Sequence, residues 1–258
     1  MFFSEMLSGV SAEFFVLVLG VFTLAGLIKG VVGLGLPTIS MALLAILMPP
    51  AQAAALLIVP SLITNLWQIR PLDKVASLFK RIGGMQWGIC VGTLAGALVL
   101  GAPAGAWASV SLGAALIAYA AWGLFGAPVA IPTHKEKWLG PVVGLLTGVV
   151  TAATGVFVVP AVPYLQMLGL KRDSLIQAMG ISFTVSTVAL AAGLWLNDSY
   201  SAQAAGGSVV MLAPALVGMY IGQKLRQALS PQVFRICFMT ALALLGAYQI
   251  AEKVLLQG

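Results

Sequence analysis

Apolar runs separated by short joints fill this chain from about residue 14 to residue 251. Most runs come close to the ~20 residues that a helix needs to cross a lipid bilayer. Ten segments are expected to cross: 14–31, 35–48, 51–69, 83–101, 105–126, 139–154, 157–169, 175–196, 207–224 and 232–251. The joints carry residues that end helices, among them Pro49-Pro50, Pro71, Gly101 to Pro103, Pro128, Pro132, Gly140-Pro141 and Pro231. The second and seventh segments are short. About 13 residues make a helix of about 20 Å, against a hydrocarbon core of about 30 Å. A short crossing helix and a re-entrant hairpin both satisfy that length.

Charge separates the two. With ten crossings, all thirteen Lys and Arg residues except Lys253 fall on one face: Lys29, Arg70, Lys74, Lys80, Arg81, Lys135, Lys137, Lys171, Arg172, Lys224, Arg226 and Arg235. The opposite face keeps Glu5, Glu13, Asp198 and Glu252. Two hairpins would instead split the cations almost evenly. Cationic loops resist translocation, so ten crossings are preferred. The basic face is then cytoplasmic, and both termini are periplasmic in a bacterial inner membrane.

The chain also repeats itself. GLIKGVVGLGLP from Gly26 to Pro37 aligns with GVVTAATGVFVVP from Gly148 to Pro160, Gly26 with Gly148 and Gly33 with Gly155. Gly88-x-x-x-Gly92 is echoed by Gly218-x-x-x-Gly222. An odd number of spans per half forces the second half to enter from the other side. The basic loop after span three faces an uncharged counterpart from Asn197 to Gly206, and the uncharged Pro49-Pro50 loop faces one carrying Lys171 and Arg172. The expected fold is therefore an all-α polytopic membrane protein of about ten helices in two inverted five-helix repeats, the plan of many secondary transporters. The repeats cover 1–126 and 139–258, and a cytoplasmic linker covers 127–138.

Composition agrees: 60% of residues are apolar and 8% are charged. A soluble domain carries about 25% charged residues. The net charge of +6 lies in loops and forms no stripe for nucleic acid. The run from Phe14 to Ile28 follows Glu5 and Glu13 rather than a basic region, so it reads as a first span and not a cleaved signal. Cys90 and Cys237 sit in apolar segments and read as packed thiols.

The two Gly-rich breaks are the candidate site. Gly30, Gly33 and Gly35 before Pro37, and Thr154 and Gly155 before Pro160, favour unwound backbone. Such backbone survives at membrane depth when it lines a cavity or is buried in protein. A helix starting at Pro37 or at Pro160 would aim free N–H groups into the break, an anion-binding arrangement. Tight turns between close-packed helices explain the same residues. Lys29, at the first break, either neutralises an anion or snorkels to the surface; Arg235 reads mainly as an anchor. Polar groups cluster in span three (Ser61, Thr64, Asn65, Gln68) and span eight (Ser182, Thr184, Ser186, Thr187), with Thr38 beside Pro37. They suit anion coordination and also ordinary interhelical hydrogen bonds.

No Asp or Glu falls in mid-span, and His134 lies in the linker. That removes a buried proton-carrying carboxylate, and it removes the base and ligands of a hydrolytic or metal-dependent membrane enzyme. No cofactor is expected. The Trp residues all lie near interfaces, as an aromatic belt requires.

The two breaks, each followed by Pro and a short apolar segment, resemble the sulfite exporter (TauE/SafE) family, the sulfonate uptake permeases. KRDSLIQAMGIS from Lys171 to Ser182 is similar to that family's basic loop and small-residue Ala-x-Gly-x-Ser pattern. The resemblance spans nearly the whole chain. The second break, Gly155-Val-Phe-Val-Val-Pro160, departs from the family in having fewer glycines. The resemblance implies a permease for sulfite, sulfonate, sulfoacetate or thiosulfate, with Gly33, Gly35, Pro37, Gly155, Pro160 and Ser182 at the site. Expected partners are a small anion and the bilayer, with no nucleic acid. The Gly-x-x-x-Gly pairs suit packing within one chain or between two, a homodimer in the second case. The rival reading is a membrane assembly factor or scaffold that transports nothing.

Overall fold

The computed structural model describes residues 11–126, 129–226, 228 and 230–255. Glu5 and Pro128, counted above among outer charges and helix breakers, lie outside the described residues. Ten α-helices follow one another: α1 (Ala12–Val32), α2 (Leu36–Leu47), α3 (Pro50–Gln68), α4 (Val75–Leu100), α5 (Gly105–Phe125), α6 (Thr133–Thr154), α7 (Ala161–Met167), α8 (Arg172–Leu196), α9 (Ala202–Leu225) and α10 (Pro231–Leu255). Eight of these are long and apolar enough to cross a membrane; α2 and α7 are not. At 12 residues, α2 is about 18 Å long. α7 has seven residues and measures about 10 Å. α6 begins at Thr133, ahead of the apolar run that starts near residue 139, so the end of the expected linker is its first turns.

The helices form one bundle with two ends. The last turns of α1, α3 and α9 and the first turn of α8 line one cavity at the end that carries Arg70, Arg172 and Arg226. Arg81 near the start of α4 bonds Glu136 near the start of α6 and the Leu168 carbonyl after α7, at distances of 2.6 to 2.9 Å. The Gln177 amide of α8 reaches the carbonyls of Ile69 and Pro71. These bonds bring the starts of α4 and α6 to the same basic end. At the opposite end, the first turns of α1, α3 and α9 and the end of α2 line a second cavity. α2 thus returns the chain to the end where α1 began.

Two helix pairs pack backbone to backbone. Gly26 and Gly30 of α1 lie against α9, whose Gly218 and Gly222 lie against Thr23 and Leu27 in return. Gly88 and Gly92 of α4 meet Gly144 and Gly148 of α6 in the same manner. A Cβ at any of these eight would collide with the facing backbone, so glycine sets the interaxial distance. The small-residue pairs therefore pack helices within one chain. The remaining strong pairings are α5 with α10, α3 with α8, α4 with α8 and α3 with α9.

Both breaks form, but differently. α1 ends at Gly33 (φ 81°), whose N–H bonds the Lys29 carbonyl at 2.7 Å, and Gly35 (φ 112°) opens α2 with Pro37 in its first turn. Only glycine holds such φ values without strain. α6 ends on Gly155 (φ 70°). There the helix start is offset: Val156, Phe157 and Val158 run on as a fully buried strap, and Pro160 is the N-cap of α7 instead of lying in its first turn. Bulky apolar side chains gain more from packing in the core, where Phe157 meets the Phe183 ring at 5.2 Å, than from a helix start.

Candidate functional site

The cavity at the basic end has a volume of about 610 Å³. α1 contributes Lys29, Gly30 and Gly33 to it; α3 contributes Thr64, Trp67 and Gln68; α9 contributes Met219 and Gln223. Arg70, Arg172 and Arg226 stand around it, and among the described residues no carboxylate lines it. Arg70 and Arg172 are exposed and Arg226 is half-buried, so they form the mouth. The Arg70 guanidinium stacks over the Trp67 ring at 5.1 Å, which holds it at the rim.

Lys29 is the floor. Its residue is 4% exposed, too deep for snorkelling. Its Nζ donates to Asn65 Oδ1. Asn65 Nδ2 donates in turn to Thr187 Oγ1 at 3.4 Å, and the Thr187 hydroxyl donates to the Phe183 carbonyl at 2.7 Å. One chain of hydrogen bonds thus joins α1 to α3 and α3 to α8. Asn65 and Thr187 are 122 positions apart, the spacing that relates Gly33 to Gly155. A nearly buried ammonium whose one hydrogen bond among the described residues goes to an amide oxygen is short of a counter-charge.

Of the other residues singled out in the sequence, Gly33 lines the cavity with Lys29, and Gly35 sits just behind it against Ile28 and Phe238. Pro37 and Thr38 are buried in the first turn of α2, and Thr38 Oγ1 has no hydrogen-bond partner. Thr154 caps its own break, accepting from the Val156 N–H at 3.1 Å. Gly155 packs against Met41 and Ala54. Ser182 accepts from Gln86 of α4 at 2.9 Å, and Ser186 Oγ is buried without a partner. Pro160, Ser182 and Ser186 do not line the cavity. The structure thus gathers Lys29, Gly33 and Asn65 at one site and leaves the second break as packing beside it. Arg235 does not line the cavity either.

Sequence reasoning missed three of the four cations. Arg70, Arg172 and Arg226 read as topology signals, yet they converge on one mouth. Their common placement on loops of one face was the available signal. Gln223, one turn before Arg226, carried none.

A second cavity of about 630 Å³ opens at the other end of the same seam, lined by Phe14, Val18, Gln52, Ala55, Asp198 and Gly207 among others. Between the two cavities, α1 supplies Phe22 and Ala25, α3 supplies Leu57 and Ser61, and α9 supplies Ala215, all fully buried. This septum is apolar apart from the Ser61 hydroxyl, which has no partner.

A family model described as Sulfite exporter TauE/SafE matches residues 18–249. No curated protein matches the chain, and no solved structure does.

Proposed function

Because the chain belongs to the sulfite exporter TauE/SafE family, we propose that it is a permease carrying a small sulfur oxyanion along the seam of α1, α3 and α9. The observation that carries this reading is the cavity whose floor is Lys29 and whose mouth is three arginines, with no carboxylate in its lining. The exposed arginines concentrate anions at the mouth by long-range attraction, which salt screens. The buried ammonium gives the anion a partner where water no longer does. Passage then requires the septum at Phe22, Leu57 and Ala215 to yield, so that the site faces the two cavities in turn.

The arrangement of helices supports two inverted halves, 1–126 and 139–258. The α4–α6 pairing has its counterpart in α9–α1, and α4–α8 has its counterpart in α9–α3. The α3–α8 and α5–α10 pairs are their own counterparts. α2 and α7 then act as short returns within ten passes. The basic end is read as cytoplasmic and both termini as periplasmic in an inner membrane. A membrane potential negative inside drives a monoanion outward with about 2.3 kcal/mol per 100 mV, which makes uniport export sufficient without a coupled ion.

Flux in proteoliposomes tests the site. Lys29→Met keeps the apolar stem and removes the charge, and sulfite flux should fall at least about tenfold while the protein still purifies as a folded species. Flux near that of the unmodified protein would return Lys29 to a structural role and remove the basis of the reading.

A further inference from the structure

Resting on the permease reading, we infer that the site admits singly charged, protonated oxoanions such as bisulfite and rejects the doubly charged forms, with Gln68 as the residue that recognises the proton. Two features of the floor carry this. The first is its charge. Among the described residues Lys29 is the only cation buried there, and the elements packed around it add none at that depth. α2 has no charged residue. α3 offers Arg70 at the exposed rim, α8 offers exposed Arg172, and α9 offers half-buried Arg226 at its cap. Asp173 of α8 does not line the cavity, and Lys224 of α9 turns to the Tyr220 ring at 4.5 Å. A monoanion leaves the floor neutral. A dianion leaves one charge uncompensated away from water, a desolvation cost that a single ammonium does not offset.

The second feature is the sense of the hydrogen bonds. Gln68 Nε2 donates to the Ile176 carbonyl at 3.0 Å. A carbonyl only accepts, so the orientation of the amide is fixed. Its Oε1 is buried without a partner, on a residue that lines the cavity. Thr64 Oγ1 spends its hydrogen on the carbonyls of Pro60 at 2.6 Å and Ser61 at 3.3 Å, so its lone pairs too lack a donor. Gln68 lies one turn beyond Thr64 on α3, at the i+4 spacing that brings side chains together. The cavity lining therefore combines one buried cationic donor with two residues whose oxygen atoms await a hydrogen. Bisulfite supplies both an anionic oxygen for Lys29 and a proton for Gln68 Oε1. Sulfite would set lone pairs against lone pairs.

Proteoliposome flux of sulfite, measured from one pH unit below to one unit above sulfite's second pKa, tests the charge rule. Methanesulfonate serves as the reference at each pH because it stays a monoanion throughout, and the ratio cancels any titration of the protein. The sulfite-to-methanesulfonate ratio should follow the bisulfite fraction, falling toward about tenfold per pH unit above that pKa. Sulfate, a dianion throughout, should not compete. A flat ratio, or sulfate competing as well as sulfite does, overturns the charge rule while leaving the permease reading intact. If none of the three anions moves, both fall. In Gln68→Leu, the KM ratio of bisulfite to methanesulfonate should rise about tenfold, the loss of one hydrogen bond to a buried acceptor. No change in that ratio removes Gln68 from recognition.

Discussion

The amide of Asn65 faces two ways, and each way costs a different amount to lose. Among the described residues its oxygen takes the one hydrogen bond of the Lys29 ammonium, and its nitrogen reaches Thr187 over 3.4 Å. Hydrogen bonds to charged groups contribute about 1.5–3 kcal/mol, whereas interhelical bonds between neutral groups in a bilayer average about 0.6 kcal/mol. Asn65→Leu should therefore lower unfolding stability by about 2 kcal/mol, and Thr187→Val by less than about 1 kcal/mol. Equilibrium unfolding in detergent compares them, and equal losses would mean that Lys29 has another acceptor. The sequence made Lys29 visible, because a cation beside a glycine break is rare. Asn65 appeared only as one member of a polar cluster. Nothing in a linear order says that Asn65, and not Ser61 or Thr64, turns toward residue 29. That follows from the rotation of α3, which tertiary packing sets.

At the scale of elements, the glycines sort into those that hold helices together and those that do not. A Cβ on Gly218 would overlap the Thr23 carbonyl, while one on Gly20 would meet nothing within 4 Å. Gly218→Ala should thus cost about 1–3 kcal/mol through forced separation of α9 from α1. Gly20→Ala should be neutral or stabilising by up to about 1 kcal/mol, the helix propensity difference. Thermal unfolding of the two variants measures this, and a tolerated Gly218→Ala would mean that the helices part without penalty. The paired Gly-x-x-x-Gly spacing was legible in the chain, and its partners were not, since α1–α9 and α4–α6 contacts join residues far apart in sequence. The second break misled for a related reason. Gly155 and Pro160 matched the first break only with one inserted residue, and Val156, Phe157 and Val158 between them are core residues whose burial overrode the turn-forming pattern.

The whole molecule has two ends with different electrostatics. Arg226 belongs to the basic cavity, and Gln203 to the cavity that contains Asp198 and no Lys or Arg. In a background of Cys90→Ser and Cys237→Ser, a membrane-impermeant thiol reagent should label Arg226→Cys from one side and Gln203→Cys from the other. Millimolar sulfite should slow labelling of the first alone, because anions gather there. Labelling of both from one side contradicts the two-ended arrangement. Loop charge alone forecast which joints share a face, since the rule acts on loops during insertion. It said nothing of depth, and so left Arg70, Arg172 and Arg226 as orientation signals.

Counting the same 122 positions that separate Asn65 from Thr187 leads from Lys29 to Thr151. The hydroxyl of Thr151 is committed to its own helix at Thr147, 2.7 Å away. The void near it, bordered by Thr93, Ala152 and Asn197, holds about 10 Å³, scarcely one water molecule. Of these two positions, 122 residues apart, only Lys29 carries a charge. Under the proposed monoanion rule, each turnover would translocate a single negative charge, and the current carried by the protein would count its cargo one for one.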